Sequence, residues 1–220
     1  VIALVDTDND SNFENSDEKD TLVDIENISG STVDDELTGS SSANTLKGNA
    51  GEDTLSGLEG DDYLDGGSNS ATGGDTVNYE YLDNADVTVT LGNGTGNATV
   101  LNIENDTLIN IENIKTASGK DSLIGDDSIN TLESGAGNDY IKAGAGNDYI
   151  DGEEDIDTLD FSDANAAINV HLDTEQVQNT GGGLGQNTIK NIENIIGGSF
   201  DDNFKGSIED ANTFDGGTTA

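Results

Sequence analysis

Apolar residues recur at every ninth position in two stretches of the chain, with glycine, asparagine and aspartate between them. The first stretch contains four consecutive blocks over residues 30–65, GSTVDDELT, GSSSANTLK, GNAGEDTLS and GLEGDDYLD, and a looser block recovers the pattern at Asp75. The second stretch, residues 116–160, holds five blocks in the same phase, and a third begins at Gly197. Each block predicts a tight loop followed by a short strand whose apolar residue, at position eight, turns inward.

A longer period is superimposed on the blocks. Three 19-residue stretches align without gaps and share the tripeptide Glu-Asn-Ile: residues 22–40, 108–126 and 189–207. Alternating apolar runs at 87–91 and 168–172 precede two of them and predict half-buried strands, and Ile2 and Leu4 predict the equivalent strand in the first copy. We therefore expect an all-β protein in which strand segments and nonapeptide arrays alternate every 80–90 residues or so.

The composition adds a strong charge to this pattern. Acidic residues outnumber basic ones 46 to 7, the net charge is −39, and only 31% of residues are hydrophobic. Such a charge disfavours nucleic acid and anionic membranes as partners, because both would repel it. A chain of this kind would usually be disordered, but it has no proline and its apolar residues are regularly spaced. The carboxylates predict hard divalent cations, calcium or magnesium, as partners.

The residue types within a block suit a shared metal site. Glycines at positions one, two and four allow positive φ angles and bring carbonyl oxygens together, and aspartate at position six adds a carboxylate. Calcium takes six to eight oxygen ligands, more than one such loop supplies, so we expect adjacent loops to share ions. One block buries almost nothing, and its stability must come from stacking and metal.

The blocks GLEGDDYLD, SGAGNDYIK and AGAGNDYID resemble the GGxGxDxUx repeats of the RTX family. The resemblance implies a parallel β-roll in which two nonapeptides make one turn and calcium lies between loops 18 residues apart, at about three ions per complete array. It also implies the calcium ligands, which are the residues at position six: Asp35, Asn44, Asp53, Asp62, Asp75, Asp121, Asn130, Asp139, Asp148, Asp157 and Asp202. Where position six is asparagine, we expect weaker binding or hydrogen bonds in place of the ion.

The two periods divide the chain into six segments. They are a strand pair with an acidic loop (1–29), the first array (30–78), an antiparallel strand segment (79–115), the second array (116–162), a second antiparallel segment (163–196) and the start of a third array (197–220). We expect two short rolls separated by strand pairs rather than one long roll. The last residues stop partway into a repeat, which suggests a piece of a longer protein.

Three weaker signals remain, and two of them allow two interpretations. Asp6, Asp8 and Asp10 have the spacing of an EF-hand loop but lack its glycine, so the loop either binds calcium or is an acidic surface loop. The glutamates of the Glu-Asn-Ile tripeptides either donate ligands at the array entrance or share a surface position. His171 is the one histidine, and without cysteine or a second histidine the usual nucleophile–base pairs cannot form, so we expect no enzyme activity.

The resemblance implies a calcium-binding structural module of a secreted bacterial surface protein, of the adhesin, surface-layer or filament type, exported by type I secretion and folded by extracellular calcium. The alternative is a calcium-dependent accessory module of a secreted enzyme (protease, lipase or epimerase) or a toxin. The short, interrupted arrays favour the structural role. Its partners would be calcium ions and, through other parts of the parent protein, further copies or a cell-surface or host ligand, with no nucleic acid and no membrane insertion.

Overall fold

A computed structural model of the chain describes residues 25–69, 73–92, 94–100, 104–207 and 211–217. The strand predicted at Ile2 and Leu4 and the acidic loop of Asp6, Asp8 and Asp10 lie outside these residues. The described residues form short β-strands and no helix, and hence no helix that could span a membrane.

The strands follow one another closely along the chain. In chain order they are β1 (Asn27–Ser29), β2 (Glu36–Thr38), β3 (Thr45–Ala50), β4 (Thr54–Ser56), β5 (Tyr63–Ser68), β6 (Thr76–Asn78), β7 (Val87–Thr90), β8 (Thr95–Val100), β9 (Glu104–Ile109), β10 (Asn113–Lys115), β11 (Ser118–Gly119), β12 (Ser122–Ile124), β13 (Thr131–Glu133), β14 (Ala136–Gly137), β15 (Tyr140–Lys142), β16 (Tyr149–Asp151), β17 (Thr158–Asp160), β18 (Asn169–His171), β19 (Gln178–Asn179), β20 (Gln186–Lys190), β21 (Asn194–Ile196), β22 (Asn203–Lys205) and β23 (Thr213–Asp215).

Two long sheets contain most of these strands. The first has the order β1-β3-β5-β9-β8-β7-β12-β15-β17-β21-β23, and the second β19-β20-β16-β13-β10-β6-β4-β2. Within an array, successive block strands alternate between the sheets, and each pairs in parallel with the strand two blocks later, as Thr131 does with Tyr149. This arrangement confirms the predicted all-β parallel roll.

Antiparallel strands interrupt the roll, as the sequence predicts, but they do not separate its arrays. In the first sheet β8 runs antiparallel between β7 and β9, and in the second sheet β19 runs antiparallel to β20. Strand β10 pairs in parallel with both β6 and β13, so the second sheet passes without a break from the first array to the second. The expectation of separate rolls is therefore wrong, because Ile114 of the Glu-Asn-Ile tripeptide aligns with Val77 and Leu132 as a further layer.

The core is a stack of the position-eight residues of the first two arrays, as predicted, with four further apolar residues, Leu108, Ile114, Ile189 and Ile195, whereas Phe214 of the third array is 38% exposed. Burial of one such side chain contributes about 1.5–3 kcal/mol. The stacked residues are at most 5% exposed: Leu37, Leu46, Leu55, Leu64, Val77, Leu108, Ile114, Leu123, Leu132, Ile141, Ile150, Leu159, Ile189 and Ile195.

Truncation of one layer should destabilise the whole roll. Ile141 is fully buried, and Ile141→Ala should lower the free energy of unfolding by about 2–5 kcal/mol. Ile129 lies in a neighbouring block but is 51% exposed, and Ile129→Ala should change it by no more than about 0.5 kcal/mol. Urea unfolding at saturating calcium measures both, and equal effects would contradict the assignment of the core.

Candidate metal centre

The residues at position six form a ladder of hydrogen bonds along the roll. Each bond joins one coil, which is a turn of two consecutive blocks, to the next coil. One carboxylate oxygen, Oδ1 of Asp53, accepts the backbone N–H of Asp35 at 2.8 Å. Likewise, Oδ1 of Asp139 accepts the N–H of Asp121 at 2.8 Å. Each bond joins residues 18 positions apart, so it fixes the spacing between consecutive loops on one side of the roll.

The second oxygen of these carboxylates is buried without a partner. In seven position-six aspartates Oδ2 is shielded from solvent and accepts no hydrogen bond: Asp53, Asp62, Asp75, Asp121, Asp139, Asp148 and Asp157. These residues are at most 2% exposed. Burial of an ionised carboxylate is strongly unfavourable unless the charge is paired or bound to a metal. The pattern therefore calls for a cation or a proton at each of the seven positions.

A carbonyl oxygen of the next coil approaches the same space. A Cβ atom placed on Gly48 would lie 2.1 Å from Oδ2 of Asp53 and 2.5 Å from the carbonyl oxygen of Gly66, 18 residues later. Only glycine fits at this point, and it leaves the carboxylate and the carbonyl facing one small volume. Hard oxygens from two successive loops are the ligands that calcium prefers, so the residues present fit calcium.

The site differs from a cluster of acidic side chains. Among the described residues no group of three or more histidine, cysteine or acidic side chains could hold a metal ion. Each loop instead contributes one carboxylate, and backbone carbonyls would supply most of the remaining ligands.

Four of the predicted ligands have a side-chain oxygen that is already engaged within its own loop. In Asp35, Asn44, Asn130 and Asp202 a side-chain oxygen accepts the backbone N–H of the residue four positions earlier. Asn130 also donates from Nδ2 to the carbonyl oxygen of Glu112 at 2.8 Å. For asparagine at position six, the sequence allowed either weaker calcium binding or hydrogen bonds in place of the ion. The structure has hydrogen bonds at Asn44 and at Asn130. These four residues are weaker candidates for metal ligands than the seven with an unbonded oxygen.

Two glutamates of the Glu-Asn-Ile tripeptides, for which the sequence allowed two interpretations, also belong to the ladder. Oε2 of Glu112 accepts the N–H of Asp75 at 2.9 Å, and Oε2 of Glu193 accepts the N–H of Asp157 at 2.8 Å. Glu193 is only 8% exposed and Glu112 is partly buried, whereas Glu26 is exposed, so the three glutamates do not share one surface position. Glu112 and Glu193 both stand where a block has its position-six residue. The sequence signal for this was the isoleucine two residues later, which corresponds to position eight.

Asp106 and Asn187 also belong to the ladder, and the sequence analysis missed both. Oδ1 of Asp106 accepts the N–H of Asp62 at 2.9 Å, and its Oδ2 accepts the hydroxyl of Tyr79 at 2.6 Å. Oδ1 of Asn187 accepts the N–H of Asp148 at 2.8 Å. The signal for Asp106 was available, because Asp-Thr-Leu at 106–108 repeats the tripeptide at 53–55.

Burial changes the protonation of the unpaired carboxylates. It raises the pKa of Asp62, Asp75 and Asp121 to about 6, of Asp148 to about 7 and of Asp157 to about 8. Backbone hydrogen bonds oppose the shift, and neighbouring carboxylates add to it. At neutral pH a calcium ion must therefore displace a proton from Asp157 and, in part, from Asp148, whereas the sites with a pKa of about 6 are already largely ionised.

The two arrays match a known repeat family. Residues 38–72 and 124–159 match the model of the RTX calcium-binding nonapeptide repeat, in four copies. No curated protein matches the chain significantly. The matched residues include seven of the eleven predicted ligands.

Without metal, the roll should lose stability as the pH rises. Free aspartate releases its proton near pH 3.8, whereas the folded chain holds protons on Asp62, Asp148 and Asp157 up to about pH 6, 7 and 8. The resulting stabilisation is complete below pH 3.8 and is lost as the pH rises through 6 to 8. Circular dichroism in chelator should show less β-structure at pH 8 than at pH 5.

Two variants separate this effect from general charge repulsion. Asp157→Asn cannot ionise and should move the upper end of the loss from about pH 8 to about pH 7. Glu59→Gln removes one exposed charge and should leave the profile unchanged. The same profile in both variants would contradict the role of the buried carboxylates.

Proposed function

Because residues 38–72 and 124–159 are RTX calcium-binding nonapeptide repeats, we propose that the chain is a calcium-dependent structural module of a secreted bacterial surface protein, of the adhesin, surface-layer or filament type. It leaves the cell unfolded, by type I secretion, and folds when it meets extracellular calcium. Asp53, Asp62, Asp139 and Asp148 lead the ligand set, with about three ions in each complete array.

The unpartnered carboxylate oxygens carry this proposal. Seven buried oxygens lie in successive loops of one continuous roll, and no protein group neutralises them. Calcium supplies two positive charges to each shared site and accepts further oxygens from the backbone. Metal binding is therefore coupled to folding, because the unfolded chain has no preformed site.

The net charge makes the dependence on calcium steep. At −39 the metal-free chain repels itself, and each bound ion removes two charges. Sites in extracellular modules bind calcium in the range of about 10⁻⁴–10⁻³ M, which suits a protein that meets abundant calcium only outside the cell. The same repulsion keeps the chain extended before export.

The continuity of the sheets supports a structural rather than an enzyme-associated role. Both long sheets extend through the nonapeptide arrays and the strands between them. A repeating unit that passes its sheets to the next copy suits an extended scaffold. A module that only stabilises a neighbouring catalytic domain has no need of such junctions.

Removal of calcium should unfold the chain. In chelator at pH 7.5 the circular dichroism spectrum should be that of a disordered chain, because the position-six carboxylates cannot all be buried without cations. Addition of calcium to millimolar levels should restore β-structure in one cooperative step. An unchanged spectrum with and without chelator would contradict calcium-dependent folding.

Loss of a single ligand charge should raise the calcium requirement. Asp139→Asn and Asp148→Asn keep an oxygen that can accept the ladder hydrogen bond but remove the charge. The calcium concentration at half-folding, followed by circular dichroism, should rise severalfold for each. Glu59→Gln is the matched control in an exposed loop position, and an equal rise there would argue against the ligand assignment.

A further inference from the structure

The same pentapeptide, Asn-Ile-Glu-Asn-Ile, follows each array after an insertion. It occupies residues 110–114 and 191–195, outside the segments that match the nonapeptide family. Its first residue has a left-handed backbone, with φ of 51° at Asn110 and 49° at Asn191. Only one residue separates this asparagine from the glutamate, whereas four separate positions one and six of a block. The pentapeptide is thus a shortened block, with asparagine in place of position one and glutamate in place of position six.

Its first carbonyl takes the place of a nonapeptide carbonyl. A Cβ atom on Gly66 would lie 2.3 Å from Oδ2 of Asp75 and 2.4 Å from the carbonyl oxygen of Asn110. This is the arrangement found at Gly48, where the carbonyl belongs to a nonapeptide 18 residues later. No nonapeptide lies 18 residues after the block that contains Asp75. The pentapeptide supplies the carbonyl oxygen instead.

The second junction repeats the geometry of the first. A Cβ atom on Gly152 would lie 2.4 Å from Oδ2 of Asp157 and 2.2 Å from the carbonyl oxygen of Asn191. Asp75 and Asp157 are both 0% exposed, and Oδ2 of each has no hydrogen-bond partner. Two junctions separated in sequence thus present one buried, unpartnered carboxylate oxygen against one asparagine carbonyl.

A second carboxylate lies beside each of these aspartates. Glu112 accepts the backbone N–H of Asp75, and Glu193 that of Asp157. Each glutamate is close enough for its charge to raise the pKa of the neighbouring aspartate. Glu193 is buried and Glu112 is partly buried, and neighbouring carboxylates shielded from water repel one another unless a cation or a proton is shared between them.

At the first junction, the opposite side of the roll has a different arrangement. There the coil after Asp62 is capped by Asp106, whose second oxygen accepts the hydroxyl of Tyr79. A Cβ atom on Gly57 would meet Oδ2 of Asp62 but no backbone carbonyl within 3.1 Å. At the first junction a carbonyl oxygen therefore meets the carboxylate on the pentapeptide side and not beside Asp62.

We propose that each pentapeptide completes a calcium site with the last loop of the array before it. Asp75, the carbonyl of Asn110 and Glu112 contribute to the first site, and Asp157, the carbonyl of Asn191 and Glu193 to the second. The extra methylene of glutamate compensates for the shortened loop. These junction sites rest on the proposed calcium-dependent function and extend it to residues outside the nonapeptides. They tie each array to the strand segment that follows it.

The test counts calcium ions on the folded chain. Native mass spectrometry at buffered free calcium should show that Glu112→Gln and Glu193→Gln each weaken one ion by about tenfold or more, since calcium affinity follows the number of ligand charges. Glutamine can still accept the N–H of Asp75 or Asp157, so the fold should persist at saturating calcium by circular dichroism. Glu59→Gln should bind as the unmodified chain does.

A backbone variant tests the carbonyl independently. Asn110→Gly keeps the left-handed conformation and should retain the ion, whereas Asn110→Val strains it, turns the carbonyl away and should lose the ion. Both variants lack the asparagine side chain, so their difference reports the carbonyl alone. This pair also decides the matter if a glutamine variant fails to fold.

The outcomes distinguish this inference from the proposed function. If Asp139→Asn weakens an ion but Glu112→Gln, Glu193→Gln and Asn110→Val behave as the unmodified chain, the junction sites do not exist, and the proposed function stands. If the unmodified chain binds no calcium, the proposed function itself is wrong.

Discussion

The structure depends on the divided role of one side chain, the carboxylate at position six. One oxygen accepts a backbone N–H from the preceding coil, as Asp53 does from Asp35, and so sets the spacing of the coils. The other oxygen is buried with no donor. In the seven aspartates whose second oxygen has no partner, the first bond forms only with that oxygen out of water. At these positions the geometry that stacks the coils is therefore the geometry that requires a cation or a proton.

The thin core leaves the metal a large share of the stability. Each coil contributes one inward apolar residue to each sheet, such as Leu132 in one and Ile141 in the other. Per coil, burial of these two side chains contributes about 1.5–3 kcal/mol each, which is less than the backbone entropy lost on ordering the loops, at about 1–2 kcal/mol per residue. Roll and ion sites are therefore expected to form together, as in other small metal-dependent folds.

The sequence predicts what depends on local spacing and misses what depends on pairing across insertions. The nine-residue period located Leu132 and the ladder pair Asp121 and Asp139, because these contacts lie 18 residues apart throughout an array. Asp106 meets Asp62 across 44 residues, and Glu112 meets Asp75 across 37. No fixed period identifies such partners. The register is set instead by β9 and β10 returning to the inward phase of the roll.

The number of strands in an array decides where each insertion lies. Each array contributes five strands to the two long sheets, an odd number, so the first ends in the second sheet at β6 and the second ends in the first sheet at β17. The inserted strands then join the sheet opposite the last one: β9 pairs with β5 in the first sheet, and β20 pairs with β16 in the second. The two insertions therefore lie in opposite sheets. The extra strands that the first sheet gains at the first junction are balanced by extra strands in the second sheet at the next junction. An array with an even number of strands would place every insertion in the same sheet and make the two sheets progressively unequal.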